Sequence, residues 1–142
     1  MRRALLATAV ALGLSAALLP ATAQATPGHG ISAVTVFDQV AGDTDYVFKE
    51  ITIQPGGATG WHYHPGPVKA WVKQGVLTHN KSDCSLDGIY RPGDFIQEQP
   101  GDGYVHIGRN LGTTPVVLEV LYEAPVGQPV AIDAPNPGCP FN

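Results

Sequence analysis

The sequence predicts an all-β domain, an antiparallel jelly roll. Three observations carry that prediction. Short runs of β-branched and aromatic residues recur beyond residue 25, and 3.6-residue apolar periodicity is absent there. Thirteen prolines and 17 glycines supply turn signals at close spacing. No internal repeat and no second domain are visible in 142 residues.

The first element is a leader. Residues 1–25 carry Arg2 and Arg3, then an apolar run, then small residues. Ala21-Thr22-Ala23 and Ala23-Gln24-Ala25 both fit an A-x-A cleavage site, so residues 1–25 read as a secretory signal peptide. Pro20 and the small residues after it argue against an uncleaved anchor. The expected domain is 26–142, secreted and extracellular, with a proline-rich tail from Pro125 lying along the surface.

The strands follow in order. "ISAVTVF" and "YVFKEITI" read as early strands, and "QPGGATG" as a turn. "WHYH" is a short strand closed by "PGP". "VKAWVKQGVLT" is a strand pair broken near Gly75, and "HNKSDCSLDG" is a loop. "IYRPGDFIQEQ" holds a strand on each side of Arg91-Pro92-Gly93. "PGDG" turns again into the strand "YVHIGRN". "LGTTP" is a turn, and "VVLEVLYEA" closes the barrel or sandwich.

Charge narrows the function. Beyond the leader, six basic residues face twelve acidic ones, a formal charge of −6. No Lys/Arg cluster is present, which argues against a nucleic-acid or anionic-membrane partner. After signal cleavage no apolar run is long enough to span a bilayer. Cys84 and Cys139 form an even count in an exported chain, which favours a disulfide. Such a link closes a 55-residue separation and is worth roughly 4 kcal/mol on a chain-entropy estimate. The Asn80-Lys81-Ser82 sequon matters only in a host that glycosylates exported proteins.

Two of the five histidines stand one residue apart, at His62 and His64 in "GWHYHPGP". Residues i and i+2 of a strand share a face, so both imidazoles aim at one spot. His106, in another strand-like segment, can meet them across a small barrel. Three imidazoles suit a divalent transition metal (Fe, Zn, Mn, Ni or Cu) with open positions for water or a small-molecule ligand. Taken singly, each histidine is more often a solvated polar residue than a ligand; the paired spacing favours the joint reading.

Other candidates are weaker. Glu98 and Gln97 can reach a barrel mouth, but strand-end acids are usually solvated. His79 and His29 read as surface residues, and Tyr104 reads as core, with pocket lining or hydrogen bonding as its alternative role. Asp83 and Asp87 are explained by turn chemistry. Trp61 and Tyr63 alternate with the histidines and should face away, under the tail or against a second subunit, which leaves a homodimer open.

Residues 56–75, "GGATGWHYHPGPVKAWVKQG", resemble the first motif of the cupin superfamily. Gly56, His62, His64 and Gly75 fit it. Residues 93–110, "GDFIQEQPGDGYVHIGRN", resemble the second motif through Gly93, Pro100, Gly103, His106 and Asn110. The whole chain also resembles small secreted cupin-domain proteins of actinobacteria. The resemblance implies a double-stranded β-helix with a metal held inside one mouth. One position departs: the glutamate that the first motif places with six residues between it and its last glycine is Val68 here. Strand parity turns Val68, Ala70 and Val72 inward and Lys69, Trp71 and Lys73 outward, so the slot is apolar. Some cupins, including thiol dioxygenases, work with three histidines alone; others have lost the metal. Two function classes follow, a dioxygenase-like oxidoreductase acting on a small molecule and a non-catalytic cupin that binds a ligand or metal or serves an extracellular structural role.

Overall fold

A computed structural model describes residues 24–142. The leader expectation falls almost entirely on residues 1–23, outside that range. Ten strands and one 3-10 turn make up the described chain: β1 (His29–Ala41), β2 (Thr44–Ala58), β3 (His62–Tyr63), β4 (Val68–Gln74), β5 (Leu77–Lys81), β6 (Leu86–Tyr90), β7 (Phe95–Glu98), the turn Asp102–Tyr104, β8 (His106–Arg109), β9 (Val116–Pro125) and β10 (Ile132–Asp133). All pairings between them are antiparallel.

The strands curl into a nearly closed barrel with two walls. One wall runs β1-β2-β9-β4-β7 and the other β10-β3-β8-β5-β6. The far end of β2 joins them, where Ala58 pairs with Arg109 of β8. Sequence alternation explains which faces meet. In β9, Val116, Leu118, Val120, Tyr122 and Ala124 are buried while the residues between them are half-buried. Val68, Ala70 and Val72 of β4 face them from the same interior, as parity requires. Burial of these side chains, at about 1.5–3 kcal/mol each, is the main force closing the barrel.

A second, smaller cluster lies outside the second wall. Trp61, Ile107, Ala58, Ala134 and Cys139 pack there with Phe141. The tail is therefore docked. It is stapled by the Cys84–Cys139 disulfide, whose Cα atoms are 5.5 Å apart. Trp61 is fully buried and stacks on Phe141 at 6.0 Å between ring centroids, facing away from the barrel interior as alternation with His62 predicts.

Several local expectations need correction. "QPGGATG" is not a free turn, since β2 continues through Pro55 to Ala58. The two halves of "VKAWVKQGVLT" are separate strands that do not pair with each other: β4 joins one wall and β5 the other. Gly75 makes that crossing with φ 75°, and a side chain there would strike the Pro115 carbonyl at 2.5 Å. Tyr104 belongs to the 3-10 turn rather than to β8. The sequon residue Asn80 is buried and bonded to Ser85 and Arg109, so the folded domain hides it.

Candidate metal centre

The barrel interior positions the three histidines from the second wall. His62 of β3 pairs directly with His106 of β8, so their rings leave the same face of neighbouring strands. His64 follows two residues on. The ring centroids lie 4.8 Å apart for His62 and His64, 4.4 Å for His62 and His106, and 5.2 Å for His64 and His106.

Backbone carbonyls fix how each ring points. His62 Nδ1 lies 2.9 Å from the Gly60 carbonyl, His64 Nδ1 2.7 Å from that of Val130, and His106 Nδ1 2.8 Å from that of Tyr104. A carbonyl oxygen only accepts, so each Nδ1 carries the proton and donates it. Each Nε2 then presents its lone pair to the interior. The ligating atoms of this trio all fall within 4.8 Å of one another, close enough to share one ion. Gly60 makes the arrangement at His62 feasible: it sits at φ 75°, and a Cβ there would collide with the Thr26 carbonyl.

Two further groups reach the same space. Glu98 ends β7, and its Oε2 lies 3.0 Å from His64 Nε2 and 3.5 Å from His106 Nε2. Its Oε1 lies 3.3 Å from His79 Nε2. His79 is fully buried in β5, and its Nδ1 donates to Asp87 Oδ2 at 2.9 Å. Asp87 also accepts from the Tyr104 hydroxyl at 2.5 Å. His79, Glu98 and His106 form a second group with metal-ligand spacing.

These positions overturn three sequence expectations. His79 is interior, not a surface loop residue. Glu98 is enclosed rather than solvated, with a side chain 12% exposed. Asp87 does not serve a turn; it orients His79, whereas Asp83 does cap its turn through Ser85. A signal existed for the first two. Leu77 and Ile96 are apolar residues that point inward, and His79 and Glu98 each follow one of them at i+2. His29 is exposed as expected.

The electrostatics follow from the crowding. Burial, then the neighbouring His106 and His64, push the His62 imidazole down to about 3. Burial alone would raise the Glu98 carboxyl, but the surrounding imidazoles of His106, His64 and His79 outweigh it and hold Glu98 well below the usual carboxylate range. Burial works to lower His79, yet Glu98 and Asp87 prevail and raise it. His106 Nε2 and His79 Nε2 are buried without a hydrogen-bond partner. Inward lone pairs and a carboxylate this close together are stabilised by positive charge between them. The donor set of imidazole nitrogens beside a carboxylate fits a divalent transition metal.

Solved structures share this architecture. A cupin-like protein from Thermotoga maritima superposes with a TM-score of 0.63 at 19% identity, over 75% of this chain and 77% of that one. The polyketide cyclase RemF from Streptomyces resistomycificus gives 0.61 at 18% identity, over 87% and 90%. A recombinant oxalate oxidase in complex with glycolate gives 0.58 at 20% identity, over 72% of this chain and 54% of the oxidase. The fold is the cupin double-stranded β-helix. No protein-family profile and no curated protein matches the sequence.

Within the cupin barrel the histidines line a cavity of about 40 Å³. Its other walls are mainly apolar, from Ile51, Ala70, Leu77, Ile96, Leu118 and Val120, with Tyr122 opposite His64 at 5.6 Å between rings. Asn110, the last residue of the second motif, stays outside the cavity. It bonds the carbonyls of Ile53 and Thr114 and the amide of Gly112, tying the turn before β9 to β2.

Proposed function

We propose that this chain is an exported cupin-fold protein that binds one divalent transition metal through His62, His64 and His106. The observation that carries the reading is the common tautomer: three carbonyls hold three Nδ1 protons, so three Nε2 lone pairs converge within 4.8 Å. Export is supported by the signal-like sequence of residues 1–25 and by the Cys84–Cys139 disulfide, which suits an oxidising compartment. Among the described residues no helix is long and apolar enough to cross a membrane.

The activity we propose is dioxygenase-like oxidation of a small molecule. A bound metal would supply Lewis acidity or a redox step. The chain's own contribution is to orient the three rings, line the site with apolar walls, and set His79 beside Glu98 at 3.3 Å. The cavity of about 40 Å³ suits a small ligand. The likeness to an oxalate oxidase bound to glycolate supports a small oxygenated substrate.

A second reading, a non-catalytic metal-binding cupin, is favoured by the same small cavity. One experiment separates them. The secreted protein is purified without a histidine tag, its metals are measured, and oxygen uptake is followed with a panel of two- to four-carbon hydroxy and keto acids and small thiols. Stoichiometric metal with substrate-dependent oxygen uptake supports the oxidoreductase; stoichiometric metal without uptake supports the binding protein. A protein that neither retains nor takes up divalent metal overturns both.

A further inference from the structure

Val68 and Glu98 are register partners in the β4–β7 ladder. Directly opposed residues on antiparallel strands put their side chains on the same face. Val68 is 2% exposed and faces the interior, so Glu98 must face the interior too. The carboxylate absent from β4 therefore stands one strand away, on the same wall and at the same level. We propose that Glu98 is the anionic ligand of the metal centre, completing a site of three imidazoles and one carboxylate. This inference rests on the three-histidine reading above.

The geometry separates a ligand from a supporting carboxylate. A carboxylate that merely orients a ligating histidine bonds the nitrogen turned away from the metal. Asp87 does that for His79, at Nδ1. In His62, His64 and His106 the outward Nδ1 atoms are already occupied by carbonyls. Glu98 instead meets the inward Nε2 atoms of His64 and His106, at 3.0 and 3.5 Å. Two acceptors do not attract each other; a cation seated between them bonds both. His106 Nε2, fully buried and without a hydrogen-bond partner, is aimed into that seat. The other oxygen, Oε1, is turned toward His79 at 3.3 Å, which leaves Oε2 for the ion. His79 thereby acts as a positioning residue for Glu98. A carboxylate in the set also changes what the site prefers, because it adds a hard anionic oxygen that three neutral imidazoles lack.

Cobalt(II) is a suitable probe because its ligand-field spectrum reports the donor set. Tag-free full-length secreted protein is titrated as wild type, Glu98→Gln, Glu98→Asp and His62→Ala, with circular dichroism checking each fold. Ligation by Glu98 predicts that Glu98→Gln weakens cobalt binding at least tenfold and shifts the visible bands. Glu98→Asp keeps the charge but withdraws the oxygens by one methylene, so it should also lose affinity and shift the bands. It decides the matter should the glutamine variant not fold. Unchanged affinity and an unchanged spectrum in the folded Glu98 variants, with binding lost in His62→Ala, overturn the ligand role while the three-histidine reading stands. Wild-type protein that takes up no cobalt overturns both.

Discussion

At the scale of single residues, each inward histidine divides its ring between a carbonyl at Nδ1 and the shared interior at Nε2. Residues that act as one unit fail together, so His62→Ala, His64→Ala and His106→Ala should each lower metal affinity by a large factor. The double variant of His62 and His106 should add little to either single one. His79→Ala should cost less, about 10- to 100-fold, because it supports Glu98 rather than completing the trio. His29→Ala is the neutral control, since His29 is exposed and its ring bonds the Gly56 carbonyl, away from the site. Metal titration of the six variants reads this directly, and additive losses at His62 and His106 would mean two separate weak sites. Val68→Glu tests the opposing strand. It would set a second carboxylate beside Glu98 in an apolar wall, and an unpaired buried charge costs about 3–5 kcal/mol. The metal-free variant should melt at clearly lower temperature, with added divalent metal restoring much of the difference. An unchanged melting point would place residue 68 away from the site.

At the scale of elements, the tail connects the disulfide to the metal centre. Val130 accepts from His64, and β10 pairs with β3 at Tyr63 and His62. Both contacts belong to the segment that Cys139 staples to Cys84, with Phe141 held between Trp61 and the Arg109 guanidinium 3.8 Å from its ring. Replacing both cysteines by serine should therefore do two things. Stability should fall by about 2–4 kcal/mol, as loss of a long-range disulfide usually does. Metal affinity should fall as well, by about tenfold or more, because the outer partner of His64 becomes less well held. Chemical denaturation and metal titration of the same variant test the pair of effects. A loss of stability with unchanged affinity would show that the tail holds Val130 in place without the disulfide.

At the scale of the molecule, the core that closes the barrel is apolar and shares walls with the histidine cavity without depending on the imidazoles. Val47, Ile53, Val116, Leu118 and their neighbours pack around β2, β4 and β9, so the domain should fold without metal. A metal that binds only the folded state then adds stability by mass action, about 2.7 kcal/mol at one hundred times the dissociation constant. Thermal melts should shift upward by several degrees on metal addition and return with a chelator. His62→Ala should abolish the shift without lowering the metal-free melting point much. A metal-free protein that is unfolded from the outset would instead make the centre part of the folding core.

The fold was legible because alternation is local. "VVLEVLYEA" and "VKAWV" state which side chains turn inward, and the spacing of His62 and His64 sets two rings on one face whatever the partner strand. The even cysteine count likewise sufficed for the disulfide. Register is not local. Nothing within five residues of Glu98 says that β7 lies beside β4, or that Glu98 stands opposite Val68. Nothing near His79 says that β5 leaves its neighbour β4 to join the other wall beside β8. The sequence by itself determined most of the strands, their faces and the shared face of His62 and His64, with His106 as the third candidate, because those depend on periodicity within a segment. Only the tertiary structure decided that a fourth histidine and a carboxylate share their cavity, because that depends on pairing between segments far apart in the chain.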